Sequence, residues 1–345
     1  MPETTAIPDL TPASSLRDDD ALFRLGAWLH RSGYRFVTVT PATHARVNVR
    51  TGTDDAKSLQ DVFGWSRPFR RSLLPRQVLG WLEQGDGLEY EGGLLRSKFR
   101  FSTLGDSVYM HSAYPTADPD AVFFGPDTYR FAALIQRTLA TPGGARVDRV
   151  VDVGCGAGAG GIVAVKALKE PVSHLILADI NPAALRHARI NAALAGIQEA
   201  NFRQGDLFHV IDQPIDLIVA NPPYMLDPAA RLYRHGGGEF GSGLSTRIVV
   251  EGLPRLAAGG ILILYTGAPI VDGRDTFWDS VAPVVHAANV GYDYVELDPD
   301  VFGEELECPA YSKVERIAAV ALVIRASRSA AEMRGAGSAR SAARA

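Results

Sequence analysis

The strongest constraint in this sequence is the run VVDVGCGAGAGG, residues 150–161. A strand pattern ends at Val153 and passes directly into Gly154, Gly156 and Gly158, with a helix expected from near Ile162. Glycines at the carboxyl end of a strand allow a tight turn and let the backbone approach a ligand closely. The spacing also satisfies G-x-G-x-x-A through Ala159, so a nicotinamide-dinucleotide fold stands beside a nucleoside-binding one.

The surrounding sequence repeats that strand-then-helix rhythm. Apolar runs occur at 147–153, 175–178, 215–220 and 260–264, each followed by a helical or glycine-rich stretch, which predicts an α/β domain with a mostly parallel sheet covered on both faces. Two later runs, 292–297 and 317–324, can close the sheet with an antiparallel edge. Asp179 ends the second strand in LILADIN, followed by Ile180 and Asn181. An acid there can accept hydrogen bonds from both ribose hydroxyls, or cap the helix that Pro182 opens. Asp206, in QGDLF with Leu207, stands where a carboxylate can take the exocyclic amine of adenine, or where a turn needs an acid.

The fourth strand ends in DLIVANPPY, which places Asn221, Pro222, Pro223 and Tyr224 on the same carboxyl edge as the glycine loop, the edge at which open α/β sheets bind ligands. Consecutive prolines stiffen the backbone, so the Asn221 side-chain oxygen and the Pro222 carbonyl are ready to accept both N–H bonds of an NH2 group. Tyr224 adds a flat ring for stacking. An amide or aryl amine nitrogen is a poor nucleophile because its lone pair is delocalised. Holding both N–H bonds favours pyramidalisation and aims the lone pair, so geometry does more than a base would.

In order and spacing, DVGCGAG, Asp179, Asp206 and NPPY resemble the class I S-adenosylmethionine-dependent methyltransferases, in the branch that methylates planar nitrogen. The resemblance covers about residues 120–326 and implies a Rossmann-like sheet of order 3-2-1-4-5-7-6 with strand 7 antiparallel. It implies S-adenosyl-L-methionine as cofactor and no metal. The loop of Asp152, Gly154, Cys155, Gly156 and Gly158 would pass its methionine and ribose moieties, Asp179 with Ile180 and Asn181 would hold the ribose, and Asp206 and Leu207 would border the adenine. Asn221 would lie between cofactor and acceptor, with NPPY holding the acceptor nitrogen. FFGPDTYRF, residues 123–131, is similar to the segment before the glycine motif in the release-factor glutamine methyltransferases, where it helps close over cofactor and substrate. That likeness makes Phe124, Asp127 and Thr128 candidates, and it differs at Gly125 and Tyr129, where an arginine and an acid are usual.

The rest of the chain bounds the partners. Residues 17–118 read as a smaller, winged-helix-like α+β accessory or recognition domain ahead of a catalytic domain at 119–326. It has a helix through Leu22, Leu25 and Leu29, a second from Pro75 to Gly85, and a hairpin of LLRSKFRF and SVYMHS joined at Leu104-Gly105-Asp106. Arg67, Arg70, Arg71 and Arg76, with Arg96, Lys98 and Arg100, form either a surface for an anionic partner or solvated faces cancelled by nearby acids. The net charge of −4 removes any global argument for a nucleic-acid binder. The glycine-rich stretch RLYRHGGGEFGSGLSTR, with Arg231, Arg234, His235 and Glu239, reads as a mobile lid, and His235 as either a base or a structural residue.

Cys155 and Cys308 stand apart from any CxxC or Cys/His cluster, which predicts a reducing, cytoplasmic setting without disulfide or zinc. No export signal and no membrane span are expected. Low-complexity composition predicts tails at 1–16 and 327–345. The acceptor is a protein glutamine amide, an exocyclic amine of RNA or DNA, or a small metabolite. A dinucleotide-dependent oxidoreductase and a catalytically silent binding module are the readings from other classes.

Overall fold

The computed structural model describes residues 19–327, except 53, 141–145 and 212–213, so apart from Ser327 the expected terminal tails lie outside the described residues. The first unit opens on α1 (Asp20–Arg31), which buries Leu22, Leu25 and Leu29 at helical spacing and ends before Gly33 in the left-handed region. Short helices α2 (Pro41–Asn48) and α3 (Leu59–Phe63) follow. The Thr40 and Ser58 hydroxyls accept the Thr43 and Asp61 amides at their starts. Helix α4 (Arg76–Gln84) then runs from Pro75 to Gly85 as expected.

The expected single hairpin is two. Strand β1 (Leu88–Glu91) pairs β2 (Leu94–Ser97), and β3 (Phe99–Leu104) pairs β4 (Ser107–Ser112), both antiparallel. The break falls at Lys98 because the Ser97 hydroxyl turns back on the Phe99 amide and carbonyl, interrupting the strand pattern.

The second unit runs α5 (Pro126–Leu139), β5 (Arg149–Val153), α6 (Ala159–Ala167), β6 (His174–Asp179), α7 (Pro182–Leu194), β7 (Ala200–Gln204) and β8 (Ile215–Ala220). It continues through α8 (Gly243–Gly252), β9 (Leu256–Val271), β10 (Arg274–Asp275), α9 (Thr276–Ala287), β11 (Gly291–Asp298) and β12 (Arg316–Arg325). The sheet is ordered β7-β6-β5-β8-β9-β12-β11, with the short β10 on β9. Strands β5 to β9 pair in parallel, and β12 lies antiparallel between β9 and β11, which is the expected order 3-2-1-4-5-7-6.

Alternation along β8 shows how both faces are filled. Leu217 and Val219 join Phe131, Ile135 and Ile162 from α5 and α6, whereas Ile218 and Ala220 join Ile248, Phe277 and Val281 from α8 and α9. Each Leu, Ile, Val or Phe side chain so buried contributes about 1.5–3 kcal/mol.

The first unit shares its core with the second, for Ile190 and Leu194 of α7 are buried among Leu22, Phe63, Leu82 and Phe101. Gly26 lets α1 approach α7, since a Cβ there would stand 2.6 Å from Leu194. Asn191, fully buried, completes the junction: its oxygen accepts the Met110 amide, and its nitrogen donates to the Met110 and Ala157 carbonyls. It thereby covers the outer edge of β4 and reaches the glycine loop. Asn191→Ala is expected to lower stability by roughly 2–4 kcal/mol in urea denaturation, because buried backbone groups lose their partners. A loss below about 0.5 kcal/mol would show that the bridge carries little.

Candidate active site

The carboxyl ends of β5, β6 and β8 meet at one edge, above a cavity of about 200 Å³. Its lining includes Gly154, Gly156, Asp179, Ile180, Asn181, Asp206, Leu207 and all of Asn221 to Tyr224. A smaller adjoining cavity of about 70 Å³ is bordered by Phe124, Thr128, Asp152, Cys155 and again Asn221. Every residue anticipated for cofactor or acceptor except Gly158 therefore borders one of two adjacent spaces.

Gly154 and Gly156 adopt positive φ of 66° and 52°, and a Cβ at either would meet nothing within 4 Å. Their requirement is conformational, and the space beside them is open. Gly158, also left-handed, is instead the N-cap of α6. Asp152 lies beneath the loop rather than in it, buried, accepting the Gly161 amide at 2.7 Å. Burial pushes its carboxyl up to about 7. Cys155 is buried as well, which raises its thiol pKa.

Asp179 bridges its strand to the loop, with Oδ2 accepting the Gly156 amide at 2.9 Å and Oδ1 the Asn181 amide at 2.8 Å. Burial raises its carboxyl while those backbone donors oppose the rise. The helix cap before Pro182 is Asn181, not Asp179: its oxygen accepts the Ala183 amide, and its nitrogen donates to the Asp120 carbonyl. Asp206 borders the cavity, yet both its oxygens are engaged by Arg247 of α8, at 3.2 and 2.9 Å, which lowers its pKa. That partner was not legible in the sequence, because Arg247 lies 41 positions away.

The Asn221 side chain has no protein partner among the described residues. Tyr224 differs from the expectation of a freely offered ring. It is 6% exposed, its hydroxyl donates to Asp127 Oδ2 at 2.5 Å, and Gly267 of β9 passes so close that a Cβ there would lie 2.4 Å from the ring. Tyr265 donates to the other Asp127 oxygen at 2.7 Å. Sequence reading missed Tyr265, which looks like any core residue of an apolar strand; Gly267 just after it was the available signal of a close approach. Pro41 of α2, Phe123, Tyr233 and Phe302 also line the cavity and were not anticipated.

The glycine-rich stretch after Tyr224 is fastened, contrary to the expectation of a mobile lid. Asp227, 5% exposed, takes Arg231 through both oxygens, Arg234 forms a close ion pair with Glu305, and Tyr311 receives the Leu226 amide at 2.7 Å. Its glycines serve close packing: a Cβ on Gly241 would stand 2.6 Å from the Tyr224 carbonyl oxygen. His235 Nδ1 accepts the Asp227 amide, a structural role.

Five of the basic residues singled out in the first unit are paired, Arg67 with Asp61, Arg70 with Asp55, Arg71 with Glu83, Arg96 with Glu91 and Lys98 with Asp86, whereas Arg76 is exposed with no ion pair among the described residues. Arg100, expected beside them, is fully buried, bonded to the Gly64 carbonyl and Thr38, with its guanidinium 4.0 Å from the Tyr114 ring centroid.

Bonds from Arg231 hold the Asp227 carboxyl down to about 2. A depressed folded pKa gives stabilisation that is complete above the unfolded value near 3.9 and lost as pH falls from there toward about 2. Hydrogen exchange should show the 225–242 segment protected at pH 5 and opening between about pH 4 and 2. Asp227→Asn should open it already at pH 5, and equal protection of both proteins there would remove this role.

With this geometry in view, residues 128–266 match the family described as methyltransferase small domain. A release factor glutamine methyltransferase of Cereibacter sphaeroides is 36% identical over 185 residues, covering 50% of this chain and 61% of that protein. Its counterpart from Deinococcus radiodurans is 36% identical over 207 residues, covering 55% and 66%. A ribosomal protein L11 methyltransferase of Symbiobacterium thermophilum is 30% identical over 218 residues, covering 58% and 64%. The chain thus spans 61–66% of the length of these curated relatives. The match to the methyltransferase small domain falls on residues 128–266, which carry the glycine loop, Asp179, Asp206 and Asn221 to Tyr224, within a sheet of the order that the resemblance implied.

Proposed function

We propose that this protein transfers a methyl group from S-adenosylmethionine to the side-chain amide nitrogen of a glutamine in a protein. The observation that carries the reading is the convergence of Asn221-Pro222-Pro223, the open glycine loop and Asp179 on one cavity. The donor set suits the cofactor's ribose: Asp179 lines the cavity with no cationic partner among the described residues, whereas Asp127 is paired with Arg130 and Asp206 with Arg247. A carboxylate so placed can accept hydrogen bonds from the ribose hydroxyls. The space above Gly154 and Gly156, which no Cβ fills, gives the ligand backbone to lie against.

When bound, S-adenosylmethionine supplies an electrophilic methyl group and leaves as S-adenosylhomocysteine. The chain's residues do the rest by position. The Asn221 oxygen and the Pro222 carbonyl accept the two N–H bonds of the acceptor amide and turn its lone pair toward the methyl. Pro223 keeps the pair stiff, and the proton shed by the methylated nitrogen passes to solvent without a dedicated base. Holding the reacting atoms in line lowers the barrier by up to roughly 7–11 kcal/mol.

The glutamine acceptor is supported by the two relatives named as release factor glutamine methyltransferases and by Asp127 and Thr128 bordering the cavity. Internal pairing of Arg67, Arg71, Lys98 and Arg234 weighs against a phosphate-bearing acceptor, since each of these cations would first have to give up its acid.

The test is transfer of a labelled methyl from S-adenosylmethionine into lysate divided into protein, RNA, DNA and small-molecule fractions. Label is expected in protein, at glutamine after hydrolysis and mapping; label confined to nucleic acid would replace the acceptor, and none anywhere would refute the activity. Asn221→Ala is expected to abolish transfer while S-adenosylhomocysteine still binds, whereas Asp179→Ala should weaken that binding directly, by about tenfold or more. Equal loss of binding in both variants would count against these roles.

A further inference from the structure

The Asp127 carboxylate is the one acid lining the cavity that accepts two tyrosine hydroxyls, one from the segment after β8 and one from within β9. It lies in the first turn of α5, 7% exposed. One oxygen accepts Tyr224, which directly follows the two prolines; the other accepts Tyr265 of β9 and Arg130. Arg130 reaches on to Asp298 of β11 at 2.9 Å. Asp127 is not needed to start its helix, because Gly125 is the N-cap and the Thr128 hydroxyl accepts the Gly125 amide. A nearly buried charge held by two phenols and one half-exposed guanidinium is costly unless its position matters.

Its position matters through Tyr224. That ring is confined by Gly267 behind it, by Phe302 with centroids 6.0 Å apart, and by Tyr265 at 6.4 Å. The hydroxyl is the remaining point of attachment, and Asp127 is what it is attached to. Pro222 and Pro223 allow little independent bending, so a displacement at Tyr224 is passed to Asn221 rather than absorbed between them.

We infer that Asp127 is a positioning residue for methyl transfer, which by holding the Tyr224 and Tyr265 hydroxyls sets the wall of the acceptor slot beside Asn221. The inference rests on the methyl-transfer reading above. Asp127 touches no reacting atom; it acts through Tyr224, and its removal lowers turnover without loosening the cofactor. An offset of about 1 Å at a reacting group is enough to slow transfer by about 100-fold.

The experiment uses the full chain, labelled S-adenosylmethionine and the protein fraction of a lysate, with S-adenosylhomocysteine affinity measured by calorimetry and folding checked by thermal melts. Asp127→Asn and Tyr224→Phe are each expected to slow transfer by about 10- to 100-fold, with S-adenosylhomocysteine affinity within about twofold of the wild type. Tyr224→Phe removes a single oxygen and so keeps the test sound if Asp127→Asn folds poorly. The double variant should be no slower than the slower single, because both changes cut the same bond. Multiplied losses in the double variant, unchanged turnover in Asp127→Asn, or a loss confined to cofactor affinity would overturn the inference. A wild-type chain that moves no label refutes the methyl-transfer reading and this inference with it, and is thereby distinct from an active wild type with unimpaired variants.

Discussion

Everything at this site depends on the direction of the strands. Because β5, β6 and β8 run in parallel, their carboxyl ends lie at one edge, and the loops leaving them have nowhere to go but around a shared space. The glycine turn after β5, Asp179 at the end of β6 and Asn221 after β8 are separated by tens of residues, yet they become neighbours through this single constraint. The glycine loop follows from it as well. Held from below by Asp152 through Gly161 and from the side by Asp179 through Gly156, it keeps a shape that leaves Gly154 and Gly156 facing open space.

The first unit is built onto this scaffold rather than tethered to it. Helix α7 serves two cores at once, with Ala184 and Ala188 against the sheet and Ile190 and Leu194 among the residues of α1 and the second hairpin. Asn191 between them bonds to both units, and Asp19 at the start of α1 holds Arg186 at 2.6 Å. One consequence reaches the site directly, since Pro41 of the first unit forms part of the cavity lining.

Charge is spent locally throughout. Asp227 with Arg231 and Arg234, Glu305 with Arg234, and Asp206 with Arg247 fasten the loops around the cavity. Arg67, Arg70 and Arg71 of the first unit do the same among their own neighbours. A cation already satisfied by an acid contributes little to attracting a phosphate chain, so the density of arginine in the sequence overstates the basic character of the surface.

How much of this was legible follows from the range of the interactions concerned. The sheet order, α1, α4 and the placing of Gly154, Asp179 and Asn221 on one edge could be read in advance, because strand alternation, helix periodicity and turn chemistry act over a few residues and parallel connections have one favoured hand. The same local signals marked Asp127 and Thr128, but not what Asp127 does. That Tyr224 is a fixed wall, that Asp206 is held by Arg247, that Arg100 is buried and that the glycine-rich stretch is fastened were all decided by contacts between residues 36 to 97 positions apart or by backbone packed on backbone. Such contacts leave no periodic trace. By itself the sequence determined the sheet and which residues share its edge; only the tertiary structure decided which of those residues are free to meet a ligand and which are already held by the protein, because hydrogen-bond partners are chosen by proximity in space.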